Sequence, residues 1–263
     1  MTPLLSVVTI VKNDLEGLRL TFENVQSLKT SEVEHVVVDG NSQDGSRAFL
    51  SDHDEQIEQW ISEEDSGISN AFNKGLRMAR GEWVLFLNAQ DQLNPRSFQK
   101  LLKTLRQSES DIVYANMETV EDPSYTIHAD HTLLDNEMSL NHPATFVRRK
   151  AAMEIGGFDE SYKIAMDYQL LMRLKKSKAK FEHLSLPVSV MDLNGVSQVN
   201  WKRGYQEVLR TKRELFGNRM GDQLFYYRQC FTFLLQRFLK RIGLNRVVQF
   251  YRARLSPIKK TSS

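Results

Sequence analysis

Residues 4–11, LLSVVTIV, form an unbroken apolar run rich in β-branched side chains. Without polar alternation, such a run predicts a strand buried on both faces of a parallel sheet. Lys12, Asn13 and Asp14 break it, and Asp14 is placed to cap a helix on which Leu15, Leu18, Phe22 and Val25 share one face. Val36–Val38 predicts a second strand ending at Asp39-Gly40, followed by a loop in which Ser42 or Asp44 can cap the next helix. A helix is predicted over 66–80, a third apolar strand over Trp83–Leu87, a helix over 97–107 and a fourth strand at Ile112–Tyr114. This alternation is that of an α/β domain with a mainly parallel sheet. Residues 116–145, with Pro123 and Pro143, read as irregular, 159–176 as helical, and 181–199 as short strands and loops around Pro187 and Gly195. From about residue 201 the pattern is helical again.

Charge changes this picture more than composition does. The 263 residues are 26% charged and 41% hydrophobic, with a mean hydropathy of −0.44, which suits a globular domain able to bury a sizeable core. The net charge of +2 conceals a division. Residues 201–263 hold 15 Lys/Arg against Glu207, Glu214 and Asp222, a net +12, so residues 1–200 carry −10. An acidic main domain over 1–200 and a basic amphipathic helical tail over 201–263 are expected. Within the tail, LFYYRQCFTFLLQRFLK (224–240) is apolar at 11 of 17 positions, with its polar residues in one stripe. Arg228 and Arg237 interrupt the apolar run, so a helix lying in a membrane interface fits better than a spanning one. A solvated face, or packing on protein, is the alternative. The single Cys excludes an internal disulfide framework and a Cys-rich zinc site, and a reducing, cytoplasmic setting fits. MTPLLSVVTI lacks the basic start of a secretory signal, and none is expected.

Acids stand where three strands end: Asp39 after Val36–Val38, Asp65 after Trp60-Ile61, and Asp91 shortly after Trp83–Leu87. Ligands of open α/β sheets bind outside the carboxyl ends of the strands. One such acid is ordinary turn chemistry, but three should converge on one cleft. Carboxylates there can hold Mg²⁺ or Mn²⁺ with a phosphate ligand, or accept hydrogen bonds from a ribose or base. No G-x-x-x-x-G-K-[ST] loop, G-x-G-x-x-G turn or G-x-S-x-G elbow is present, so kinase, P-loop, dehydrogenase and hydrolase readings lose support.

Four blocks resemble the family 2 glycosyltransferases: SVVTIVKN (6–13) with VVVDGNSQDGS (36–46), SEEDSGISNAFNKGLRMARGEWVLFLNAQD (62–91), NHPATFVRR (141–149) and GGFDESYKIAMDYQLLMRL (156–174). The resemblance implies a GT-A fold, Rossmann-like, with a mainly parallel sheet flanked by helices. It implies that Asp39 and Asp65 contact the nucleotide of a sugar donor, usually a uridine diphosphate. It makes Asp91 the direct or water-mediated ligand of Mn²⁺ or Mg²⁺, in a one-carboxylate site, because Asn88 and Gln90 stand where the family often has acids. It makes Asp167 the catalytic base of an inverting transfer, with Met166 where an acid often precedes it. His142 falls in a motif near the acceptor pocket, as an acceptor or diphosphate contact or as a hydrogen-bonded loop histidine.

Within the family the chain looks most like bacterial enzymes of surface-polysaccharide assembly. A lipid-linked or oligosaccharide acceptor is therefore expected, at the inner face of the cytoplasmic membrane. No helix-turn-helix or RNA-binding motif accompanies the basic tail, and no nucleic-acid partner is expected. The rival reading, prompted by the thinned motif at Asn88–Asp91, is a catalytically weak homologue that binds a nucleotide sugar or a partner enzyme. Arg148 and Arg149 read as solvated rather than facing a diphosphate, Lys74 as an exposed helical lysine, and Asp44 and Asp159 as cap or turn acids.

Overall fold

The computed structural model describes residues 2–120, 124–192, 195–251, 258 and 260–262. In chain order the elements are β1 (Leu5–Val11), α1 (Leu15–Ser27), β2 (Val33–Asp39), α2 (Ser46–Asp52), β3 (Gln59–Ser62), α3 (Ile68–Met78), β4 (Trp83–Asn88) and β5 (Gln92–Leu93). They continue with α4 (Pro95–Gln107), β6 (Ile112–Thr119), β7 (Tyr125–Ile127), β8 (Thr145–Arg148), α5 (Arg149–Glu154), α6 (Met166–Lys176) and β9 (Phe181–Met191). Last come α7 (Val196–Val199), α8 (Trp201–Phe216), α9 (Met220–Arg241), α10 (Asn245–Phe250) and β10 (Lys260–Ser262).

One sheet runs β10-β7-β6-β8-β4-β1-β2-β3, with β9 beside β6 and β5 beside β9. Strands β3, β2, β1 and β4 are mutually parallel, and the apolar runs of β1, of Val36–Val38 in β2 and of β4 suit strands covered on both faces, whereas β3, at the edge, is half-buried. β1 is central: Val11 pairs with Asp39 on one side, and Ile10 pairs with Asn88 on the other. All seven residues of β1 and of β2 are buried. Alternate side chains serve opposite faces. Val8, Ile10, Val36, Val38 and Phe86 pack with Phe72 and Leu76 of α3 and Leu171 of α6. Leu5, Val7, Leu85 and Leu87 pack with Phe98, Leu101 and Leu105 of α4.

Beyond β4 the sheet departs from the simple alternation. β8 enters antiparallel between β4 and β6. The stretch read as irregular contains the second half of β6, all of β7 and two short 3-10 helices, His131–Asp135 and His142–Ala144. β9 runs through Pro187, which pairs opposite Asn116 at a register shift, where a missing N–H is tolerated. The helix expected over 159–176 begins only at Met166. Gly156 and Gly157 take positive φ, and Asp159 accepts from the Ser161 N–H, so the chain turns before the helix starts.

Candidate active site

The parallel register lines up the carboxyl ends of β3, β2, β1 and β4 in one row, with neighbouring strands ~4.8 Å apart. Asp39, the last residue of β2, is fully buried. Its carboxylate accepts from the backbone N–H of Ser42 (3.1 and 3.2 Å), from the Ser42 hydroxyl, and from Ser62 Oγ at 2.6 Å on β3. Asp39 therefore shapes the loop that follows β2. Asp65 lies beside it. Its Oδ1 accepts from the Gly67 N–H at 2.8 Å, and Oδ2 stands so close to Gly40 that a Cβ there would sit 2.2 Å from it. Gly40 leaves the room that brings the Asp65 carboxylate up to the end of β2. Ser42, expected as a helix cap, is spent on Asp39, whereas Asp44 accepts from the Ser46 and Leu15 N–H groups.

On the far side of β1, the loop Asn88–Asp91 is tight. Gln90 takes φ +81°, and the Asp91 carboxylate accepts from the Asn88 N–H at 2.9 Å. Helix α1 buttresses it: Thr21 Oγ1 donates to the Asp91 carbonyl (2.8 Å), and the Gln90 side-chain amide donates to Asp14 (2.8 Å). An acid at position 90 would face the Asp14 carboxylate, which gives a local reason for glutamine here. Asp14 also caps α1 through the Gly17 N–H, as its position suggested.

His142 reaches this loop because β8 runs antiparallel to β4, so the residues just before β8 lie at the carboxyl end of β4. Its Nε2 is 2.9 Å from the Asn88 amide and 3.5 Å from Asp91 Oδ2, and its Nδ1 is 3.6 Å from Asp167 Oδ2. His142 thus bridges the expected metal ligand and the expected base. Burial alone would lower its pKa, but hydrogen bonds and charges from Asp167 and Asp91 outweigh burial and push it up to about 9. The two carboxylates thus favour the protonated ring, a cation between them. Phe72, at 6.1 Å, together with Phe86 and Phe158 forms an aromatic floor nearby.

Asp167 occupies the first turn of α6, with Oδ1 accepting from the Tyr168 N–H at 2.7 Å. Its neighbours Met166 and Tyr168 are core residues, and a carboxylate at 166 would have to be buried among apolar side chains. A residue that sequence reasoning missed holds this turn. Glu207 of α8, 6% exposed, accepts from the backbone N–H groups of Lys163, Ile164 and Ala165 (2.8–3.2 Å) and from Arg203 Nε at 2.9 Å. Burial would raise the Glu207 carboxyl, but those N–H groups and Arg203 outweigh it and hold the carboxyl below its ordinary value. Gly204 permits the approach, since a Cβ there would lie 3.2 Å from Ile164 Cγ2. The only sequence signal was that it is one of two acids on an otherwise basic helix.

Other expectations move. Lys74 is not an exposed lysine: it pairs with Glu63 at 2.8 Å and donates to the Glu64 carbonyl, with its side chain 12% exposed. Arg148 is neither solvated nor near a diphosphate. It binds the carbonyls of Ser108 and Ser110, pairs with Glu82 and stacks over Trp83, at the opposite end of β4. Arg149 donates to the carbonyls of Leu76 and Arg77.

Among the described residues no three His, Cys, Asp or Glu side chains are grouped to cage a metal ion. Asp91 Oδ2 is engaged by the Asn88 N–H and faces His142. This donor set fits a hydrated Mg²⁺ or Mn²⁺ that takes most of its ligands from phosphate and water and one from the protein.

A sequence profile for glycosyl transferase family 2 matches residues 6–175, which covers every acid of this cleft and His142. The chain belongs to that family. Among relatives of this glycosyltransferase, an uncharacterized glycosyltransferase of Mycobacterium tuberculosis is 29% identical over 182 residues, covering 65% of this chain and 68% of its own. The O-antigen biosynthesis protein RfbC of Myxococcus xanthus is 25% identical over 198 residues, 71% of this chain but 16% of RfbC. Two solved structures share the GT-A fold. Staphylococcus aureus TarS (residues 1–349) in complex with UDP-GlcNAc superposes with a TM-score of 0.63 at 15% identity, over 96% of this chain and 76% of that one. The mannosyltransferase PcManGT of Pyrobaculum calidifontis, in complex with GDP-Man and Mn²⁺, gives 0.64 at 16% identity, over 83% and 66%.

The Asp91–His142–Asp167 bridge can be tested in this glycosyltransferase directly. His142→Leu leaves two carboxylates facing one another without the cation between them. Turnover is expected to fall about 100-fold, the scale of an ångström-level misplacement of a reacting group, while binding of uridine diphosphate persists. Equal turnover in the variant would exclude a positioning role.

Proposed function

We propose that the protein transfers a sugar, with inversion, from a uridine diphosphate donor to a hydroxyl of a lipid-linked or oligosaccharide acceptor in bacterial surface-polysaccharide assembly. The observation that carries this reading is that Asp39, Asp65 and Asp91 follow one row of parallel strand ends and that His142 joins Asp167 of α6 to Asp91 there. The UDP-GlcNAc complex of TarS and the naming of RfbC support the donor and the pathway class. Asp65, with Oδ2 toward Gly40, accepts a hydrogen bond from the nucleotide, and Asp39 orders the loop that receives it. Asp91 would be the protein's carboxylate ligand to Mn²⁺ or Mg²⁺, which when bound would offset the negative charge gathering on the departing diphosphate. Asp167 takes the proton of the attacking acceptor hydroxyl, and His142 keeps that carboxylate at a fixed separation from the diphosphate side. Direct displacement follows from a single base on the acceptor side. A lipid-linked acceptor places the enzyme at the inner face of the cytoplasmic membrane.

A thermal-shift series tests the donor site. Uridine diphosphate at a concentration about 100-fold above its Kd is expected to stabilise the fold by ~2.7 kcal/mol. That is roughly 5–10 °C in Tm for a chain of this size. Mn²⁺ should enlarge the shift in the wild type but not in Asp91→Ala, and Asp65→Ala should reduce it with or without metal. A larger shift with guanosine diphosphate would correct the donor, and no shift with any nucleoside diphosphate would favour an inactive homologue.

A further inference from the structure

We propose that the outward face of α9 is a docking surface for anionic phospholipid, with the helix lying along the bilayer interface. The inward face of α9 is already occupied. Phe233 stacks on Trp201 of α8 at 4.5 Å, Gln229 bonds Glu137, and Asp222 pairs with the buried Lys212. On the opposite side, Met220, Leu224, Tyr227, Phe231, Leu234 and Phe238 are 52–87% exposed. They recur every three or four residues, so they fall in one arc of about 100° on a helix of 3.6 residues per turn. Arg228 stands at one border of that arc, and Arg237 and Arg241 at the other, all exposed. Among the described residues none of these three arginines is in an ion pair.

An apolar stripe bordered on both sides by cations matches the cross-section of an interface, with acyl chains below and phosphates beside. Charge decides between lipid and a second copy of the chain. The three acids of residues 201–263 are turned to this chain's own groups: Glu207 to the turn before α6, Glu214 to Arg210 and Tyr162, Asp222 to Lys212. A two-fold dimer through this face would set a rim of arginines against its own copy, since such an interface matches one patch with itself. Arg228 has Glu137 within electrostatic reach, and anionic headgroups supply further counter-charge there and along the Arg237 and Arg241 border. Among the described residues no helix is long and apolar enough to cross a membrane, so this surface lies on the bilayer rather than through it.

The inference rests on the proposed acceptor only for its purpose, and docking is measured without turnover. The full-length protein is co-sedimented with vesicles of phosphatidylcholine mixed with phosphatidylglycerol, and with vesicles of phosphatidylcholine alone. Binding to the mixed vesicles is expected, falling as salt rises. Replacing Arg228, Arg237 and Arg241 by Gln should weaken it on the order of 100-fold. Phe231→Ser with Phe238→Ser should abolish it. Retention of the uridine diphosphate thermal shift shows that a variant is folded, and if the serine variant loses that shift the glutamine variant decides. Equal affinity for the two vesicle types, wild-type binding by the variants, or a dimer that dissociates in the serine variant without any vesicle binding would each overturn the proposal. Absent vesicle binding with an intact nucleotide shift would remove the docking surface and leave the donor-site reading standing.

Discussion

Replacing Asp167 by Asn is expected to lower the rate of sugar transfer by about 10²–10⁴-fold, the span of a general base acting on a weak hydroxyl nucleophile, which is the role proposed for this carboxylate. Asparagine preserves the size of the side chain and an oxygen for the Tyr168 N–H, but it cannot take the acceptor proton. The loss should fall on kcat, with the uridine diphosphate thermal shift unchanged, because Asp167 lies across His142 from Asp91 rather than beside Asp39 and Asp65. The measurement is label transfer from a uridine diphosphate sugar into lipid-extractable product. A second readout comes from the metal-free protein. In the wild type, hydrogen bonds and charge from Asp167 and Asp91 push the His142 pKa up to about 9 against its burial. Asp167→Asn removes one of those carboxylates, so the imidazole titration followed by NMR must move to lower pH. Transfer at the wild-type rate would place the base elsewhere; an unmoved titration would deny that the two side chains meet.

How much of this was legible beforehand depends on distance along the chain. β1, β2 and β4 were readable because strands covered on both faces need unbroken apolar sequence, and Asp39, Asp65 and Asp91 were readable as candidates because acids at strand ends face one cleft. β8 was not readable. TFVR is four residues long, and its antiparallel place between β4 and β6 is a long-range pairing that no local pattern announces. His142 and Asp167 acquired roles only from the resemblance, since the bridge joins three segments brought together by β8 and α6. The late start of α6 follows from the turn at Gly156–Ser161, where a helical pattern in the side chains is overruled by the backbone. Glu207 was hidden for a different reason: in a segment of net +12 it passed as one of three stray acids, and its partners are backbone N–H groups, which leave no trace in composition.

Removing that carboxylate should damage both the fold and the turn that carries Asp167. Glu207→Ala leaves the N–H groups of Lys163, Ile164 and Ala165 without their acceptor in a site that is nearly closed to water. At the lower end of ~1–3 kcal/mol for each buried unsatisfied group, the fold loses about 3 kcal/mol. For a protein of this length that is roughly 6–12 °C in Tm. Glu207→Gln keeps one carbonyl oxygen and should lose less, and the difference between it and the wild type isolates the charge. The folded-state pKa of Glu207 is depressed below its ordinary 4.5 by those N–H groups and Arg203, against the opposing effect of burial. A depressed carboxyl contributes its full stability above the unfolded value and loses it as pH falls through the folded one. The wild-type advantage over Glu207→Gln in urea unfolding should therefore be constant above about pH 5.5 and shrink below pH 4.5. An advantage independent of pH would mean that packing, not charge, holds the turn. Because that turn delivers Asp167, both variants should also lose turnover at temperatures where they remain folded and still bind uridine diphosphate, which separates a displaced base from a collapsed fold.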